Sequence, residues 1–115
     1  MKFGKVYIIG AGPGDPGLLT LKGKSCIEEA DVIIYDHLVN KKLLEFAKDG
    51  AELIYVGKIA GRHTKSQEEI NSLLVNKAKD GMILARLKGG DPFIFGRGGE
   101  EALELADNGI PFEII

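Results

Sequence analysis

Short apolar runs alternate along this chain with longer segments in which apolar residues recur every three to four positions. The runs 5–9 (KVYII), 31–35 (DVIIY), 52–56 (ELIYV), 82–87 (MILARL) and 112–115 (FEII) have the length and β-branched content of strands covered on both faces. Between them, Thr20 caps a helix that carries Leu21, Ile27 and Ala30. Asn40 caps a short one with Leu43, Leu44 and Ala47 inward, and Ser66 with Glu69 forms a capping box ahead of Ile70, Leu73, Leu74 and Ala78. Glu100 and Glu101 complement the positive end of a fourth helix that packs Ala102, Leu103 and Ala106, and Gly81 and Gly109 stand where the last two helices must stop. This alternation predicts an α/β fold, a five-stranded and mainly parallel sheet flanked by four helices. Ligands of such sheets bind outside the carboxyl ends of the strands, so the loops after strands one to four converge on one edge.

Length and composition keep the picture simple. The 115 residues are one domain's worth of chain, enough to bury roughly 65% of the unfolded surface. Hydrophobic residues at 44% and charged residues at 28% are the balance of an ordinary globular protein. Fifteen basic and seventeen acidic residues leave a charge of -2, so nothing global steers the chain to nucleic acid or to an anionic membrane, and any anion recognition must be local. Cys26 has no second cysteine to pair with, which suits a reducing cytoplasm. The apolar run before Gly10 is too short for a signal-peptide core or a membrane span. A cytoplasmic protein with no nucleic-acid or membrane partner is therefore expected.

The unusual chemistry gathers in the four converging loops. GAGPGDPG occupies 10–17, Asp36 and His37 follow the second strand, Gly57 and Lys58 open a polar loop reaching Lys65, and GGDPFIFGRGG fills 89–99. Gly12, Gly14 and Gly17 fit the dinucleotide spacing GxGxxG, with Asp36 about twenty residues on. Pro13 and Pro16 nevertheless remove two N–H donors from a loop that would have to donate to pyrophosphate, and Asp15 adds a negative charge beside it. The loop suits a neutral or cationic ligand with an adenosine part and no phosphate, or else only shapes a sharp strand-to-helix turn. Taken alone, Asp36 reads first as a helix or turn cap and Lys58 as a solvated surface lysine. His37 and His63 lack the neighbouring Cys or His spacing of a metal site.

Five segments together carry a resemblance. GAGPGDPGLLTLKG (10–23), DVIIYDHLV (31–39), YVGK (55–58), QEEIN (67–71) and RLKGGDPFIFGRGGEE (86–101) resemble the uroporphyrinogen-III C-methyltransferases of the tetrapyrrole methylase superfamily. The first and last mark the superfamily; YDHLV, YVGK and the FIFGRG extension are similar to the uroporphyrinogen branch. The resemblance implies S-adenosylmethionine as methyl donor, S-adenosylhomocysteine as product, and no metal. It places Pro13, Gly89, Gly90, Asp91 and Ile94 against the donor, makes Asp36 the proton acceptor, and makes Lys58 a proton donor or charge partner. A positioned carboxylate has a task in this chemistry, because the alkylated ring must shed a proton.

The implied substrate is a tetrapyrrole bearing eight carboxylates, uroporphyrinogen-III, methylated towards precorrin-2 for siroheme or cobalamin. Lys58, Arg62, His63 and Lys65 lie together without an intervening acid, and Arg86, Lys88 and Arg97 flank the other loop. They are expected to form a basic rim for those carboxylates, arginine being suited to bidentate pairing; a mobile, solvated loop is the plain alternative for the first cluster. Family members continue past the position of Ile115 into a second α/β domain. The 115 residues are thus expected to be the N-terminal donor-binding domain of an enzyme that is a homodimer when intact, with little turnover alone. Two other readings stand beside this one: another methylase of the superfamily, and a non-catalytic nucleotide-binding α/β module.

Overall fold

The computed structural model describes residues 2–10, 17, 19–36, 39–57, 66–89 and 98–115. Its elements in chain order are β1 (Lys5–Gly10), α1 (Leu21–Glu29), β2 (Val32–Tyr35), a 3-10 helix (Lys41–Phe46), β3 (Glu52–Tyr55), α2 (Gln67–Lys79), β4 (Ile83–Lys88), α3 (Gly98–Asp107) and β5 (Phe112–Ile114). The strands form one sheet in the order β3-β2-β4-β1-β5, and every pairing is parallel. The expected α/β architecture is therefore met, with a sheet that is wholly rather than mainly parallel among the described residues.

Both faces of the sheet are covered, which is why its central strands are largely apolar apart from Arg86 and Lys88 of β4. One face packs Val6, Ile8, Val32, Ile34 and Leu84 against Ile70, Leu74 and Ala78 of α2 and Leu105 of α3. The opposite face packs Ile9, Ile33, Ala85 and Leu87 against Cys26 and Ile27 of α1 and Leu43 of the 3-10 helix. α1 and α3 thus lie on opposite sides of the sheet. β3 is an edge strand, and Glu52 and Leu53 on it are exposed.

Local chemistry sets the helix ends. The Thr20 hydroxyl accepts from the Gly23 N–H, the Asn40 side chain accepts from the Lys42 N–H, and Ser66 and Glu69 make the reciprocal pair of a capping box. Gly81 and Gly109 have φ of 86° and 70°, a left-handed conformation that a side chain disfavours and that ends α2 and α3. The second helix departs from expectation in being 3-10, since its six residues are too few to develop an α-helical ladder. Three apolar residues expected inward face solvent instead: Leu21 is 87% and Leu103 68% exposed, and Ala106 is exposed as well. On α3 the inward residues are Glu101 and Leu105, so this helix is rotated relative to the phase its apolar residues suggest.

Candidate functional site

The register aligns the carboxyl ends of four strands. Tyr35 pairs with Tyr55 on one side and Leu87 on the other, and Leu87 pairs with Ile9. One step further along the same strands come Val56, Asp36, Lys88 and Gly10, with Gly10 and Lys88 themselves paired. Gly89 follows directly. This row is the floor of the candidate site.

β1 and β4 are neighbours, yet β1 leads to α1 on one face of the sheet and β4 to α3 on the other. The sheet therefore switches direction between these two strands, and ligands of open α/β sheets bind at such a switch point. Gly10 and Gly89 border the switch point and place no side chain in it. Pro13, Gly90, Asp91 and Ile94, expected at the methyl donor, lie outside the described residues, as do Lys58, Arg62, His63, Lys65 and Arg97.

Asp36 lies at this edge. Its carbonyl oxygen accepts from the Val39 N–H at 3.3 Å, a turn that holds the residue at the end of β2. It borders a half-open cavity of about 270 Å³ lined by Tyr35, Asp36, Val39, Lys41 and Tyr55. The Tyr35 and Tyr55 rings meet edge to face, with centroids 5.4 Å apart, and give the cavity a stiff aromatic wall. A wider depression runs along α2 past Ser66, Glu69, Ser72 and Asn76. It includes none of the strand-end residues and is more open than the cavity beside Asp36.

Arg86 corrects an expectation. It is not on a rim but 3% exposed within the sheet face under α3, where its Nε donates to Glu101 Oε1 at 3.3 Å and its Nη1 to the Leu87 carbonyl at 3.1 Å. Lys88 Nζ donates to Glu101 Oε2 at 3.1 Å, and the Gln67 side chain donates to the same oxygen at 3.0 Å. Glu101 is fully buried. Burial, reinforced by Arg86, pulls the Lys88 ammonium below the usual lysine value, while Glu101 and Asp36 act in the opposite sense. Glu101 as the hub of this cluster was not foreseen from sequence. The signal was available: cations at alternate positions of a strand buried on both faces require an anion on the face they share.

Among the described residues no group of three His, Cys, Asp or Glu side chains is placed to hold a metal ion. No helix among them is long and apolar enough to cross a membrane.

The sequence profile of the tetrapyrrole (corrin/porphyrin) methylases matches residues 5–115. The chain belongs to this family. It is 62% identical over 112 residues to the uroporphyrinogen-III C-methyltransferase of Methanocaldococcus jannaschii, covering 97% of this chain and 46% of that protein. The crystal structure of uroporphyrin-III-C-methyltransferase from Thermus thermophilus matches with a TM-score of 0.86 and 48% identity, over 97% of this chain and 46% of that one. A Thermus thermophilus structure complexed with S-adenyl homocysteine matches with a TM-score of 0.80 and 46% identity, over 97% and 44% of the two chains. This tetrapyrrole methylase chain spans less than half the length of these relatives. Its glycine-rich first loop and the GGDPFIFGRGG loop both fall inside the matched region, as the resemblance read from sequence implied.

Proposed function

We propose that this chain is the methyl-donor-binding domain of a uroporphyrinogen-III C-methyltransferase. The observation that carries the reading is 62% identity, over 97% of the chain, to an enzyme of that name. The switch point between β1 and β4 supports it, because Gly10 and Gly89, from which the two family loops start, stand there side by side. The donor set fits S-adenosylmethionine: a loop with two prolines in place of N–H donors, glycines at both strand ends, and carboxylates at Asp15 and Asp91 suit a cationic ligand without phosphate. Pro13, Gly89, Gly90, Asp91 and Ile94 are the residues assigned to hold it. When bound, S-adenosylmethionine supplies an electrophilic methyl group and leaves as S-adenosylhomocysteine.

The residues of the chain then have distinct tasks. Asp36, at the end of β2, accepts at a carboxylate oxygen the proton that the methylated tetrapyrrole gives up. Lys58, two positions beyond Val56, supplies the opposing charge or returns a proton. Arg62, His63, Lys65 and Arg97 take the carboxylates of the substrate; Arg86 is omitted because Glu101 already occupies its guanidinium. The same reading expects a cytoplasmic enzyme that is a homodimer when intact.

Thermal melting of the chain with S-adenosylhomocysteine and, separately, with NAD tests the proposal. A ligand that favours the native state raises the melting temperature by mass action. S-adenosylhomocysteine is expected to raise it and NAD to leave it unchanged. A rise with NAD alone would transfer the glycine-rich loop to dinucleotide binding and end this reading.

A further inference from the structure

The buried cluster beneath the strand ends holds two cations and one anion. The Arg86 and Lys88 side chains are 3% and 6% exposed and Glu101 is fully buried, so a single carboxylate faces both. An excess positive charge in so enclosed a place is costly unless another anion lies within range. Asp36, next after Tyr35 on the neighbouring strand, offers a second carboxylate, whose charge acts on Lys88 more weakly than Glu101 but in the same sense.

The register explains why the two meet. Tyr35 pairs with Leu87, so Asp36 and Lys88 are the next positions on adjacent strands, which run about 4.8 Å apart. Ile34 and Leu84 pack on the face covered by α2 and α3, and side chains two residues apart along a strand share a face. Lys88 therefore continues the face of Leu84 beneath α3, and Asp36, the residue after Tyr35, stands beside it at the end of β2.

We propose that Lys88, clamped from α3 by Glu101, is a positioning residue for Asp36, the group that the proposed function makes the proton acceptor. Glu101 at 3.1 Å holds the ammonium in one place, and Gln67 of α2 and Arg86 of β4 hold Glu101 in turn. A fixed charge of this kind orients a carboxylate without reorganising when the proton moves. The groups facing Lys88 from the packed elements are Arg86 from its own strand, Glu101 from α3 and Asp36 from the end of β2.

The inference rests on the proposed role of Asp36, but its test does not need turnover. In an isotopically labelled chain, the side-chain amine of Lys88 is titrated by NMR in the parent protein and in Asp36→Asn. Removing the carboxylate is expected to lower the Lys88 midpoint; an unmoved midpoint overturns the proposal. The Asp36 Cγ resonance is then compared in Lys88→Met and Lys88→Arg. It should move in the first and stay nearer the parent position in the second, whereas equal displacements would mean that packing rather than charge carries the effect and would overturn the proposal. If Lys88→Met does not fold, the Asp36→Asn arm still decides. Coupling without a thermal shift from S-adenosylhomocysteine would count against the proposed function alone, and a thermal shift without coupling against this inference alone.

Discussion

The Asp31 carboxylate accepts a hydrogen bond from the backbone N–H of Ile83 at 2.9 Å, joining the entrance of β2 to the entrance of β4. Lys48 Nζ approaches its other oxygen at 2.7 Å. The Ile83 amide first, and Lys48 second, hold the Asp31 carboxyl below the ordinary aspartate value of 3.8. A carboxyl whose folded value is depressed contributes stability that is complete above its unfolded value and is lost as pH falls through the folded one. The stability difference between the parent chain and Asp31→Asn, followed by urea denaturation, should be constant near neutrality. It should shrink steadily below about pH 4, and a difference that persists unchanged at pH 2 would contradict the assignment.

The charge count around Glu101 makes a sharper prediction. Glu101→Gln leaves Arg86 and Lys88 buried with a neutral partner and should destabilise the chain by roughly 3–5 kcal/mol. The triple variant Arg86→Met, Lys88→Met, Glu101→Leu removes the cations together with the anion. It should recover most of that loss in denaturant melts, because well-packed apolar replacement of a buried ion cluster is often neutral or favourable.

The start of α2 depends on its cap. The Ser66 hydroxyl accepts from the Glu69 N–H at 3.1 Å, and the Glu69 carboxylate accepts from the Ser66 N–H at 3.2 Å. Ser66→Ala should cost about 1 kcal/mol. Faster amide exchange at Glu68 and Glu69 than in the middle of the helix would accompany it.

Cys26 packs against the sheet and is 5% exposed, and burial pushes its thiol up from the usual value, with Glu29 adding to the effect. Both factors suppress the thiolate that reacts. A colorimetric thiol reagent should therefore label the native chain slowly at neutral pH and the urea-unfolded chain at the rate of a free cysteine.

The parts of the fold that were legible in sequence are those governed by local chemistry. Thr20, Asn40 and Ser66 read as caps because each offers an oxygen to the amides that follow, and the apolar runs read as covered strands because little within them is polar. The phase of α3 was not legible. Ala102, Leu103 and Ala106 suggest one inward face, but the partners that decide the matter, Arg86 and Lys88, lie on a strand more than ten residues earlier. Burying Glu101 between them turns the helix by about one residue, near 100°, and leaves Leu103 in solvent. The same long-range pairing withdrew both Arg86 and Lys88 from the rim. Of the site, Asp36 and Gly89 fall at the strand ends as expected, since their positions depend only on where β2 and β4 stop.

The order β4-β1-β5 also governs when this molecule can assemble. β1 is synthesised before both its neighbours, which lie far along the chain at Ile83–Lys88 and Phe112–Ile114. β1 therefore waits with both hydrogen-bonding edges open until β4 has been made, and the β1–β4 switch point cannot form before then. Closing so long a loop is slow compared with forming a helix. The nascent chain should thus stay susceptible to proteases and attractive to chaperones until translation of these residues is nearly done, and then fold in a single late step.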